Sequence, residues 1–123
     1  MPTLNESNYP GEVLLSHAPG TLSFDKATLA SGQNLKAGTV LGRLTVGGNL
    51  AAYDNDASDG TQTAVAILYA DTDATTAATP CTVIARLAEV AIDKLVWGAA
   101  VTTTPEKTAG LIDLAALHII ARE

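Results

Sequence analysis

Few residues in this 123-residue chain are of a type and spacing that could do chemistry. The densest polar run is Asp54-Asn55-Asp56-Ala57-Ser58-Asp59-Gly60, whose side-chain oxygens suggest a calcium loop. An EF-hand loop needs oxygen ligands at positions 1, 3 and 5, glycine at 6 and a bidentate Glu at 12. Counted from Asp54, position 6 is Asp59 and position 12 is Val65. Counted from Asn55, Gly60 falls at position 6, but Ala57 takes 3 and Ala66 takes 12. Both registers fail, so the run reads as a solvated turn ahead of a strand. Ser16-His17 sets a hydroxyl beside a base in sequence only, and a catalytic triad is defined by geometry. His118 lies in an apolar run and reads as structural, and the two histidines have no zinc-ligand spacing. Cys81 follows Pro80 with no base nearby in sequence, and Gly38-Thr39-Val40-Leu41-Gly42-Arg43 lacks the Lys-Ser/Thr of a phosphate loop. The expectation is a protein with no catalytic residues, no metal and no cofactor.

One segment suggests a carrier. Asp25-Lys26-Ala27-Thr28 resembles the lysine hairpin of lipoyl carrier domains, and Leu35-Lys36-Ala37-Gly38-Thr39-Val40-Leu41-Gly42 resembles their turn motif. That resemblance implies a cofactor amide-linked to Lys26 at a hairpin tip. Carrier domains repeat the turn motif in both halves, whereas this chain has one copy.

The composition narrows the classes further. Seven Lys and Arg against 13 Asp and Glu give a net charge of −6 and a pI of about 4.7. Phosphate-dependent nucleic-acid binding and polybasic membrane anchoring both need a basic face and are excluded. A 47% hydrophobic and 16% charged chain is too apolar to be disordered. Aromatics are only 4%, so the core rests on Leu, Val, Ile and alanine, and oligomerisation would reinforce it. A single cysteine excludes an internal disulfide and suits a reducing compartment. The start, Met1-Pro2-Thr3-Leu4-Asn5-Glu6, lacks the basic and apolar regions of a secretion signal, and no 18-residue apolar stretch occurs.

These residues need positioning elements. Residues 1–20 read as an extended arm, because Pro2, Pro10, Pro19, Gly11 and Gly20 oppose helix and central strand. From Thr21 the chain reads as β: strands near 21–29, a turn at Gly32-Gln33-Asn34, and a strand over 39–46. Gly47-Gly48-Asn49 is a hairpin signal, leading back through Leu50 to Tyr53. Thr63-Ala64-Val65-Ala66-Ile67-Leu68-Tyr69 is the clearest strand, apolar throughout as if covered on both faces. Residues 70–80 read as a loop. Residues 82–92 fit either a helix stripe or a long strand, with Thr82-Val83-Ile84 and Pro80 favouring strand. Thr104 reads as an N-cap with Pro105 in the first turn, opening a helix to about Leu117 that buries Ile112, Ala115 and Ala116. His118 to Ala121 reads as a last strand.

The central block carries a second resemblance. Gly32-Gln33-Asn34-Leu35-Lys36-Ala37-Gly38-Thr39-Val40-Leu41-Gly42-Arg43-Leu44, then Tyr53-Asp54, then Ser58-Asp59-Gly60-Thr61-Gln62-Thr63-Ala64-Val65-Ala66-Ile67-Leu68, resembles the lambda-type head decoration proteins of tailed phages. The likeness spans roughly residues 20–121, and Ala66 stands where a glycine is usual. It implies a small α+β, β-rich decoration domain over 21–123 with one late helix. It further implies a non-enzymatic homotrimer on the outer surface of the expanded head, made in the host bacterial cytoplasm. There it would clamp neighbouring copies of the major capsid protein, at three-fold and quasi-three-fold positions, against the pressure of packaged DNA. Residues 1–20 then become a capsid-binding arm, with Leu4, Tyr9, Pro10, Val13, Leu14 and Leu15 as its anchors. The rival is a virion surface module that binds a host glycan or receptor through loops 54–60 and 71–79.

Overall fold

The computed structural model describes residues 12–98 and 101–122. They form an α+β, β-rich domain, as expected. Its strands are β1 Leu14–His17, β2 Phe24–Leu29, β3 Gln33–Leu35, β4 Val40–Arg43, β5 Leu50–Ala52, β6 Ala64–Leu68, β7 Thr72–Ala74, β8 Thr79–Ile84, β9 Ala88–Ala91 and β10 Ile119–Arg122. One helix, α1, spans Thr104–Ala116.

Five strands close into a barrel in the order β2-β5-β4-β6-β8. Gly47 and Gly48 turn β4 into β5 with φ of 84° and 75°, left-handed values that glycine adopts without strain. The Leu44 amide closes this turn on the Asn49 carbonyl at 2.8 Å. Strand β6 is covered on both faces, which explains its unbroken apolar run. Ala66 and Leu68 pack inside the barrel with Leu29, Leu41, Leu50 and Val83. Ala64 and Ile67 pack in a second core with Val40, Tyr53, Ile84, Val90, Leu114 and Ile119. That second core lies under α1 and a separate three-stranded sheet, β1-β9-β10, while β3 and β7 form a small pair.

Several expectations are corrected. The arm was expected to run to residue 20, but Val13 is only 1% exposed and β1 pairs antiparallel with β9. Residues 13–17 therefore belong to the body of the domain. Residues 70–80 contain β7 and the start of β8 rather than a continuous loop. Residues 82–92 are not one strand. β8 ends at Ile84, the chain turns through Leu87 at φ 52°, and β9 occupies Ala88–Ala91 before a 3-10 turn at Ile92–Lys94.

The helix begins as its capping residues suggested, one position early, with Thr103 as N-cap and Pro105 in the first turn. Its buried face was misassigned. Gly110 and Leu114 are buried, whereas Ile112 is 65% exposed and Ala115 and Ala116 are also exposed. The orientation is set by contacts that periodicity does not reveal. The Ala64 amide donates to Asp113 Oδ2 at 3.1 Å. Gly110 lies against the edge-packed rings of Tyr53 and Trp97, whose centroids are 6.1 Å apart.

A methyl group on Gly110 would sit 2.9 Å from Trp97 Cζ3 and 3.0 Å from Tyr53 Cε2. Alanine gains about 1 kcal/mol of helix propensity, but crowding a packed site costs about 1–3 kcal/mol. Gly110→Ala is therefore expected to be neutral to destabilising by up to about 2 kcal/mol, read from urea unfolding midpoints. A clear gain in stability would show that the aromatic pair yields freely.

Candidate functional site

Ser16, His17, Cys81 and Lys26, whose side chains are of types that do chemistry elsewhere, take structural partners here. Ser16 Oγ donates to Glu89 Oε1 at 2.9 Å, so it is not paired with His17. His17 Nδ1 lies 2.6 Å from the Ala18 carbonyl, and its ring packs against Phe24 at 5.0 Å. Cys81 lies in the barrel core, and burial pushes its thiol pKa up, away from nucleophilic use. Lys26 sits inside β2 opposite Thr82, whose Oγ1 accepts from its Nζ at 3.2 Å. It occupies no hairpin tip, which overturns the carrier reading.

The acidic loops satisfy themselves. Asp54 Oδ1 accepts the Asp56 amide at 3.1 Å. Asp59 Oδ1 accepts both the Thr61 hydroxyl at 2.6 Å and the Thr61 amide at 3.1 Å, and these bonds hold its carboxyl below the usual range. Asp73 is lowered in the same way by Thr75. Among the described residues no group of three His, Cys, Asp or Glu side chains could hold a metal ion. Asp54, Asp59 and Asp73 thus form Asx-type turns, while Asp71 reaches out of its loop to accept the Ala37 amide at 2.7 Å.

Tyr53 anchors the helix start. Its hydroxyl donates to the Glu106 carbonyl at 3.1 Å and accepts from Asn55 Nδ2 at 3.1 Å. Burial is the main cause that raises its phenol pKa, opposed by the Asn55 bond. Thr103 Oγ1 donates to Glu106 Oε1 at 2.8 Å, while Glu106 Oε2 is buried without a partner.

What the fold does assemble is the root of the N-terminal segment. Val13 fills the second core, and its carbonyl accepts the Ala91 amide at 2.7 Å. Glu12 pairs with Lys94 at 3.5 Å. Leu14 is half-buried opposite Val90, and Leu15 is 54% exposed. Leu4, Tyr9 and Pro10 lie outside the described residues. On the outer face of the sheet Glu89 joins all three strands, taking the Ser16 hydroxyl from β1 and the Arg122 guanidinium from β10. Sequence reasoning missed this lacing, because Ser16, Glu89 and Arg122 are far apart in the chain.

The sequence profile of the bacteriophage lambda head decoration protein D family matches residues 3–119. The chain belongs to that family. The decoration protein is therefore a non-enzymatic, virion-associated structural protein of a phage head. No curated relative matches it. The matched span includes the Ser16–Glu89 pair and the arm root, together with the barrel and α1.

The Ser16 hydroxyl, then the Arg122 hydrogen bond and charge, lower the Glu89 carboxyl below its ordinary value of 4.5. A depressed carboxylate contributes stability that is fully present above its unfolded pKa and lost as pH falls through the folded one. The decoration protein should lose stability as pH drops below about 4.5. Glu89→Gln should flatten that part of the acid limb, measured as melting temperature against pH. An unchanged acid limb would show that Glu89 does not couple the three strands.

Proposed function

We propose that the decoration protein acts as a homotrimer on the outside of the expanded head. It clamps neighbouring copies of the major capsid protein at three-fold and quasi-three-fold sites against the pressure of packaged DNA. Its family membership supports the capsid context. The observation that carries the clamp is the placement of the arm root: residues 1–11 precede a strand at the open edge of the β1-β9-β10 sheet.

Eleven extended residues reach about 36 Å at roughly 3.3 Å each. That length crosses onto an adjoining shell subunit. The arm adds a strand to an exposed edge there, with main-chain hydrogen bonds supplying affinity and Leu4, Tyr9 and Pro10 filling pockets. Leu15, exposed beside the root, is a fourth contact. Val13 and the half-buried Leu14 hold the root to the domain instead.

Fixing backbone costs about 1–2 kcal/mol per residue, so a single short arm is a weak ligand. Three arms on one trimer bind with avidity, because the second and third events are intramolecular. The domain itself gains from assembly, since Ile112, Ala115 and Ala116 form an uncovered apolar stripe on α1.

Removing residues 2–11 should leave a folded trimer that no longer protects undecorated expanded heads from heat or chelator. Sedimentation would give the trimer, and electron microscopy of treated heads the protection. Equal decoration by the truncated protein at the same concentration would refute the arm's role, and a monomer at all concentrations would refute the clamp.

A further inference from the structure

Two non-glycine residues of the described chain have left-handed backbone, Leu87 at φ 52° and His118 at φ 62°. They are neighbours in space. Leu87 ends the turn into β9, and His118 is the step from α1 into β10. The Ala88 amide donates to the His118 carbonyl at 3.0 Å. The Leu87 conformation is held from below by Ser23, which is fully buried. Ser23 Oγ donates to the Leu87 carbonyl at 2.9 Å and accepts the Ala18 amide at 2.9 Å.

The side chain so held is 41% exposed, and Ile120, also partly exposed, lines the same open groove of about 420 Å³. Folding gains little from this choice. Left-handed backbone is costly for a leucine, and glycine would remove both the strain and the wetted apolar surface. Strain of this kind persists where the surroundings over-determine it, and it concentrates at binding and switching sites.

We propose that this groove, formed where β1, β9 and β10 meet, is a second docking surface that seats on a neutral, apolar patch of the shell protein. The inference rests on the capsid reading above. Its occupant follows from where the arm begins. Residues 1–11 enter the domain at Glu12, just ahead of β1, the edge strand of this same sheet, and five residues from His17 in the groove. At roughly 3.3 Å per residue, the root from which the arm departs lies within about 17 Å of the groove, so a shell protein engaged close to that root faces it. On the rim the Glu89 carboxylate holds Ser16 and Arg122, and His17 and His118 line the groove beside them. An apolar centre, here Leu87 and Ile120, within a polar rim is the usual anatomy of a protein interface.

The test separates binding from stability. Leu87→Gly and Leu87→Asn both suit left-handed backbone and remove the apolar side chain. Each full-length variant is titrated onto purified expanded heads lacking decoration protein, with the wild type alongside. Both are expected to keep a melting temperature close to that of the wild type, and to raise the half-saturating concentration at least tenfold. Wild-type affinity in both variants would overturn the groove proposal while leaving the capsid reading standing. Failure of the wild type itself to bind heads would overturn both. A changed oligomeric state in the variants, seen by sedimentation, would assign the groove to a second copy of this chain and overturn the proposal.

Discussion

Strand β9 is the constraint on which the domain depends. It is hydrogen-bonded on both sides, antiparallel to β1 and parallel to β10. One neighbour brings the beginning of the described chain and the other brings its end. Its inward residues Ala88 and Val90 fill the core between the sheet and barrel, where Val13, Leu114 and Ile119 meet them. Because the parallel partner β10 is reached only after α1, the helix is carried across the barrel wall at Ile67 and Ile84. The Leu87 turn feeds β9 in the required direction. A different turn there would move the arm root and the last strand together.

The polar residues follow the same economy. Several conspicuous polar groups are committed to the structure: Asp59 and Asp73 to their own turns, Ser16 and Arg122 to Glu89, Asp113 to the start of β6. The decoration protein thus keeps a stiff scaffold on few aromatics, with Tyr53, Trp97 and Phe24 each placed at a junction between elements.

What could be read in the sequence was whatever is set locally. The Gly47-Gly48 hairpin, the doubly covered β6 run and the Thr-Pro-Glu helix start each signal their structure within a few residues. The block from Gly32 to Leu68 was enough to suggest the family that the profile match then showed. What escaped was set by distant partners. Val13 looked like an arm residue because its covering neighbours, Val90 and Ile119, lie more than 70 positions away. The helix has apolar residues on two sides, and distant partners decide which side turns inward: the Tyr53 and Trp97 rings against Gly110, and the Ala64 amide on Asp113. The break at Leu87 carries no glycine or proline to announce it. The Glu89 junction, which ties three strands, has no sequence spacing to betray it.

The antiparallel pairing of β1 with β9 also has a mechanical meaning. Tension applied from Glu12 along the axis of β1 does not peel the strand away one bond at a time. It loads the rungs between β1 and β9 in parallel, as shear, and passes through β9 into β10 and the helix behind it. A tug on the leading peptide is thereby shared across the interior of the domain rather than concentrated at its rim.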